Sequence, residues 1–524
     1  MSTLTASWTT PKLGWRDPQI AAGHKFVIVS TNGQIAYYDK AGHLLGSKIS
    51  VVPGHRPTPL QNPLQLSNFF SPLNDSLAAN LNLPAGVDPA TFGFDAFYDN
   101  RVIFDPYRNR FWLGATVINN NTRNEALGLT PKQRGSRRTK FCIAVSKTED
   151  PRGGWHRYWW DMTKDDGRCN VGDSCQGLMF VPGDSGDYPF IGISPQMFTQ
   201  ANLVAQRDPN TGNKTNRVYH MATTADADTL AAGGGGGPKL DSDQSPFLST
   251  VAPVQKPDET PYQFTSGAYG CVQPVLQLTD DADNQVYFVG LLQDGSKYYV
   301  LVWDRPSGED QLFPQPIPVK PWSPKVAAPP QGGDGVIPNP NPLVFRVWVP
   351  FSATYSHGFI YLAFGDSASK DAISVAAMRL VRIPVKEAVA NWSNPAKGFI
   401  DHLLPDQVGA THYGWPVLTA TAKGDMVLAY IRTSPTSFPE VRYNVWPANA
   451  SAPQPSHSLK AGEMPLSVPG TAAGTGIGDI DMVNIAPDPD GKSVWIAHPY
   501  PYKPASGEAS ASSNFRLAVG QVVP

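Results

Sequence analysis

One pattern recurs along the chain and limits what it can fold into: a polar or aromatic lead, a short β-rich run, a turn, then a second apolar run. It reads Asp17–Ile20 with Lys25–Val29, Asn100–Phe104 with Arg110–Leu113, and Asp187–Ile193 with Met197–Phe198 onward. It returns as Gln273–Leu278 with Val286–Val289, and as Phe345–Val349 with Phe359–Leu362. The last copies are Gly414–Leu418 with Met426–Tyr430, and Asp481–Ile485 with Ser493–Ile496. Each pair reads as a hairpin followed by room for two more strands. A single sheet of this kind is apolar on both faces and cannot cover itself. A ring of such sheets buries each face against its neighbour.

The repeat predicts an all-β chain folded as one seven-bladed β-propeller over residues 1–524, with six or eight blades left open by imperfect matches. Blades begin near residues 17, 100, 187, 273, 345, 414 and 481. Outer strands are expected at Phe141–Ser146, Trp155–Trp160, Tyr298–Trp303, Ile373–Ile383, Val441–Trp446 and Phe515–Val523. Residues 51–92, 223–266 and 305–342 read as long loop insertions, the first with a short helix at Asp75–Leu83. None has a periodic apolar pattern of its own, so none reads as a separate domain.

Composition agrees with many short strands and many turns. Gly (47) and Pro (51) are abundant and scattered, and 13 Trp suit sheets packed face to face. A net charge of −2 without a basic stripe argues against nucleic acid as a partner. No stretch approaches the roughly 20 apolar residues that span a bilayer. Met1–Thr10 has neither the basic start nor the apolar core of a signal peptide. The low Lys content and the Ser, Thr, Asn, Gly and Pro richness nevertheless favour a secreted or periplasmic protein whose leader has been removed over a cytosolic one. Cys169 and Cys175 bracket a polar loop that could close as a disulfide or hold two free thiols, whereas Cys142 reads as a buried thiol.

The segment Arg101–Asp105, Arg110–Trp112, Ala144–Pro151 with Gly154–Trp155, and Gly186–Pro189 resembles exported bacterial propeller proteins described as sialidase-like or BNR-like. Gly478–Asp479 through Trp495 resembles their last blade. Ser146–Asp150 with Trp155 is similar to a degenerate Asp-box, the structural turn of sialidases. The resemblance implies the fold and leaves the activity open.

In propellers, ligands usually sit at one end of the central channel, among the residues that lead into the innermost strands. Here those are Arg16 and Asp17; Tyr98, Asn100 and Arg101; Asp187 and Tyr188; Gln273; Arg346; His412, Tyr413 and Trp415; Asp479 and Asp481. His498 and Tyr500 follow the second strand of the last blade and fall at the same rim. Arg101 and Arg346 could grip a carboxylate bidentately. Tyr188, Tyr413 and Trp415 offer faces for sugar rings. Asp187 and Asp479 could act as general acid and base for glycoside cleavage. His412 with Tyr413 or Tyr188 could instead serve a β-elimination. Asn100 and His498 complete the candidate binding residues. The competing role for each is structural: Asp and Arg at inner-strand starts also tie blades together, and Trp415 also packs.

Other chemistries find less support. No P-loop or dinucleotide fingerprint is present. No catalytic cofactor is required, although the Asp-rich turns Asp280–Asp283 and Asp488–Asp490 could hold structural Ca²⁺. The leading reading is a monomeric glycoside hydrolase or polysaccharide lyase acting on an acidic polysaccharide or oligosaccharide. A non-catalytic glycan- or protein-binding propeller is the alternative, and a metal-dependent oxidoreductase comes third. A bonded Cys169–Cys175 pair predicts that the peptide spanning them, from non-reduced protein, is two hydrogens lighter in mass spectrometry. Alkylation of both thiols without reduction would refute it.

Overall fold

The computed structural model describes residues 2–10, 17–46, 63–73, 96–118, 140–161, 185–207, 214–234, 248–251, 273–281, 285–294, 297–306, 313–321, 330–331, 335–336, 352–370, 373–386, 397–404, 411–465, 483–504 and 515–524. Among these, the strands form seven antiparallel blades, each beginning at the channel. Blade 1 contains Gln19–Ala22, Phe26–Thr31, Gln34–Asp39 and Leu44–Leu45. Blade 2 contains Ala96–Asp105, Arg110–Ile118, Lys140–Ser146 and Trp155–Asp161. Blade 3 contains Ser185–Ile193, Met197–Arg207, Lys214–Asp226 and Leu248–Val251. Blade 4 contains Gln273–Pro274, Gln285–Asp294, Lys297–Pro306 and Phe313–Val319. Blade 5 contains Ala353–Ser356, Phe359–Lys370, Ile373–Pro384 and Ile400–Leu404. Blade 6 contains His412–Ala420, Met426–Ser434, Ser437–Trp446 and His457–Lys460. Blade 7 contains Asn484–Pro487, Val494–Pro501 and Phe515–Val523, and Thr3–Thr9 is its outermost strand. The innermost strands touch in blade order, with Leu276–Gln277 making the step from blade 4 to blade 5, and close the circle from blade 7 back to blade 1.

Strand alternation explains the ring. In Arg110–Ile118, Phe111, Leu113, Ala115 and Val117 join the apolar layer shared with blade 1. Trp112 points the other way, into the layer shared with blade 3, where it stacks on Phe198 at 5.1 Å. The same division places Val27 and Val29 against blade 7 and Ile28 against blade 2.

Three expectations change. The innermost strand of blade 5 is Ala353–Ser356, whereas the expected run Phe345–Val349 lies outside the described residues. The run Gln273–Leu278 is divided: Gln273–Pro274 pairs within blade 4, while Leu276–Gln277 pairs in parallel with blade 5. The stretches read as insertions also contain blade strands, namely Leu248–Val251 and Phe313–Val319. Phe313–Val319 places Pro314, Pro316 and Pro318 two residues apart. Prolines two apart share one edge of a strand, and an outermost strand leaves one edge unpaired. A short helix lies at Leu66–Phe70, where Leu66, Phe69, Phe70 and Leu73 keep helical spacing and pack on Phe97 and Trp155. The helix expected at Asp75–Leu83 lies outside the described residues.

One rim is laced by contacts between hairpin turns. His24 Nε2 meets Asn109 Oδ1 at 3.1 Å, and Arg108 donates to the Pro195 carbonyl at 2.6 Å. The His357 amide donates to Thr279 Oγ1 at 3.1 Å, and its Nε2 donates to the Ala422 carbonyl at 2.5 Å. The Ala422 amide donates to the Gly491 carbonyl at 3.1 Å, and Lys40 pairs with Asp488 across the closing seam. Asp488 also accepts from the Trp495 indole (2.7 Å), as Asp105 does from Trp112 (3.2 Å). By strand direction, the crossings from one blade to the next run at the opposite rim.

Phe515–Val523 buries Phe515, Leu517, Val519 and Val522. At about 1.5–3 kcal/mol for each large apolar side chain, its loss approaches the whole stability of a domain, roughly 5–15 kcal/mol. Deleting residues 515–523 is expected to abolish the cooperative thermal transition. A truncated protein that melts with the full-length chain would refute this account of closure.

Candidate functional site

Three innermost strands carry the same irregularity. Pairing slips by one residue between Tyr98 and Arg101, between Asp187 and Phe190, and between Gly414 and Val417. Each is a β-bulge, with three steps on the inner strand opposite two on its partner. Asp99 and Trp415 adopt left-handed backbone at the bulge, with φ of 51° and 49°, and Asp17 does so (φ 46°) just before the inner strand of blade 1. For non-glycine residues such conformations are held only by their surroundings.

The bulges turn several candidate side chains sideways into the blade layers. Asn100 is buried and donates to Ser30 Oγ of blade 1 at 2.6 Å. Arg101 is 4% exposed; its Nε donates to the Pro189 carbonyl of blade 3 at 2.6 Å, and its guanidinium lies 4.0 Å over the Phe190 ring. Trp415 is buried in the layer between blades 6 and 7, and its carbonyl accepts from His498 Nε2 at 3.2 Å. His498 is fully buried, and desolvation holds its imidazole down to about 4.

His412 opens the inner strand of blade 6, and its Nδ1 accepts from the Ala376 amide of blade 5 at 3.1 Å. Burial lowers it to about 4, so the ring is neutral near pH 7 with its proton assigned to Nε2. That tautomer suits His412 to donate rather than to abstract a proton. Tyr413 faces the layer between blades 5 and 6, edge-on to Tyr430 at 5.4 Å. Asp187 and Tyr188 lie at the blade 3 bulge by backbone, and their side chains are outside the described set. Arg346 and Asp479 lie outside the described residues, as do Cys169 and Cys175.

The described channel wall lines a narrow, partly open cavity of about 40 Å³. Its polar lining is Arg101, the amides Gln19, Gln273 and Asn484, and the hydroxyl residues Ser352 and Thr354. Phe190 projects across it and belongs to the same apolar cluster as Val417, Val483 and Ile485. Gln19 Oε1 and Gln273 Oε1 are buried without a hydrogen-bond partner. A smaller space of about 20 Å³ follows towards the laced rim and is mostly apolar. Sequence reasoning missed Gln19, Ser352, Thr354 and Asn484. The signal available for Gln19 and Asn484 was a single polar residue beside the apolar inner run.

Among the described residues, no three His, Cys, Asp or Glu side chains converge as a metal site. Asp490 in the Asp488–Asp490 turn accepts from the Lys492 and Ser493 amides and from Ser493 Oγ. The Asp-box-like turn joins the third and fourth strands of blade 2. There Asp150 binds the Arg152 fork at 2.8 Å on both arms, and the Trp155 indole donates to the Pro151 carbonyl. Cys142 is a buried free thiol, and burial raises its pKa.

No family model matches the chain, and no curated protein sequence matches it. Among solved structures, a Trypanosoma rangeli sialidase in complex with the inhibitor DANA is similar at TM-score 0.35 and 6% identity, over 81% of this chain. The match spans only 54% of that sialidase, about half its length. A Cellvibrio cellulosa α-L-arabinanase is similar at TM-score 0.28 and 11% identity, over 68% of this chain and 94% of its own. A Dyadobacter fermentans protein of unknown function is similar at TM-score 0.28 and 11% identity, over 65% and 95%.

The lowered pKa of His498 has a signed consequence. The unfolded imidazole protonates near 6.5 and the folded one near 4, so the unfolded state binds more protons between those values. This contribution to stability is complete above pH 6.5 and is lost on acidification towards pH 4, at about 1.4 kcal/mol per pH unit. His498→Gln is expected to flatten this acid limb in denaturant titrations run from pH 7 to 4. An unchanged slope would refute the assignment.

Proposed function

We propose that this exported propeller binds an acidic polysaccharide or oligosaccharide at the open mouth of its channel and cleaves it as a glycoside hydrolase or polysaccharide lyase. The observation that carries the reading is the cavity wall: one guanidinium, three carboxamides and two hydroxyl residues, with two amide oxygens lacking partners. Such a lining matches a ligand that offers many hydroxyl donors and one carboxylate. Arg101 meets the carboxylate, while Gln19 and Gln273 accept from sugar hydroxyls. His412 donates from a neutral ring, and Asp187 and Tyr188 at the neighbouring bulge supply the proton transfers. A specific observation favours binding without catalysis as the second reading: the described wall of the cavity holds no Asp or Glu.

A glycan array followed by product analysis separates the readings. Arg101→Lys keeps the charge but loses the planar fork. It is expected to weaken binding of acidic glycans by about 1.5–3 kcal/mol and to leave neutral glycans unaffected. Asp187→Asn is expected to bind but not turn over. Binding without products from the wild-type protein would select the second reading, and failure to bind any acidic glycan would overturn both.

A further inference from the structure

The outermost strand of blade 2 carries Trp155, Arg157 and Trp159 on one face. The two tryptophans belong to the apolar layer between blades 1 and 2, which sets a guanidinium inside that layer. Arg157 lies 4.7 Å over the ring of Phe69, and its Nη1 donates to the Trp155 carbonyl at 3.3 Å. Its Nε and Nη2 are closed off from solvent and have no hydrogen-bond partner. Tyr37 of blade 1 lies in the same layer, 1% exposed, with its hydroxyl also buried and without a partner. Asp150, the carboxylate nearest to Tyr37 in effect, is engaged by the fork of Arg152. No ion pair compensates Arg157 among the described residues, and desolvation draws its pKa down to about 10.

A buried guanidinium without a counter-charge is costly. The two unmet nitrogens are neighbours on one edge of the group, and that edge is the fork that receives two oxygens of a carboxylate or phosphate. We propose that Arg157 and Tyr37 form a binding site for a small oxyanion between blades 1 and 2, at the propeller's outer edge and separate from the channel. The Nε–Nη2 fork takes two oxygens and the Tyr37 hydroxyl donates to the same ion. Arg157 as a whole is only part-buried, which gives an ion a short way in.

The test is thermal denaturation of the full-length protein at fixed ionic strength, titrated with inorganic phosphate, acetate or chloride. Phosphate or acetate is expected to raise the melting temperature saturably and chloride is not; the stronger of the two names the oxyanion class. Arg157→Lys is expected to lose at least tenfold in apparent affinity, and Tyr37→Phe several-fold. Arg157→Met removes an unpaired charge, so it is expected to melt at or above the wild type without oxyanion and below it at saturation. Three results would overturn the site: no saturable shift, an equal shift in Arg157→Lys, or an Arg157→Met protein that melts equally far below the wild type in both media.

Discussion

The structure depends on burying sheets that are apolar on both faces. Six of the layers between neighbouring blades form distinct clusters of buried side chains, from the layer of Ile20, Val29 and Trp495 to the layer of Val417, Ile485 and Ile496. No blade can satisfy both faces until it has two neighbours, so stability belongs to the circle rather than to any one sheet. Thr3–Thr9 pairs along Phe515–Val523 and joins strands distant in sequence, turning a stack of sheets into a closed body without an exposed inner seam.

At the centre, the same economy governs polar groups. The one-residue bulges at Tyr98–Arg101 and Gly414–Val417 divert Asn100 and Trp415 from the axis into the joints between blades. His498 and His412 bridge blades through backbone groups and remain uncharged because burial disfavours the imidazolium. What is left facing the axis is neutral and hydrogen-bonding, with Arg101 as the charge in the described lining.

Much of this was legible in the sequence, for a physical reason. Hairpins announce themselves through paired apolar runs and turn residues, and Phe141–Ser146, Ile373–Ile383 and Phe515–Val523 lie within strands found in the structure. Phe313–Val319 escaped because three prolines disguise an outermost strand. The site was harder to read than the fold. The candidate residues stand at the positions that lead into each inner strand, and a single extra residue there reverses the direction of everything beyond it. The residues that do line the cavity, such as Gln19 and Asn484, lie within or beside the inner run, where a polar residue looks like an interruption.

The lacing of one rim runs from His24 and Asn109 round to Lys40 and Asp488. Turns that grip one another cannot lengthen or change shape independently, so that end is held to a common geometry. A change in the length of any one of these hairpins is therefore felt by the turns on either side of it.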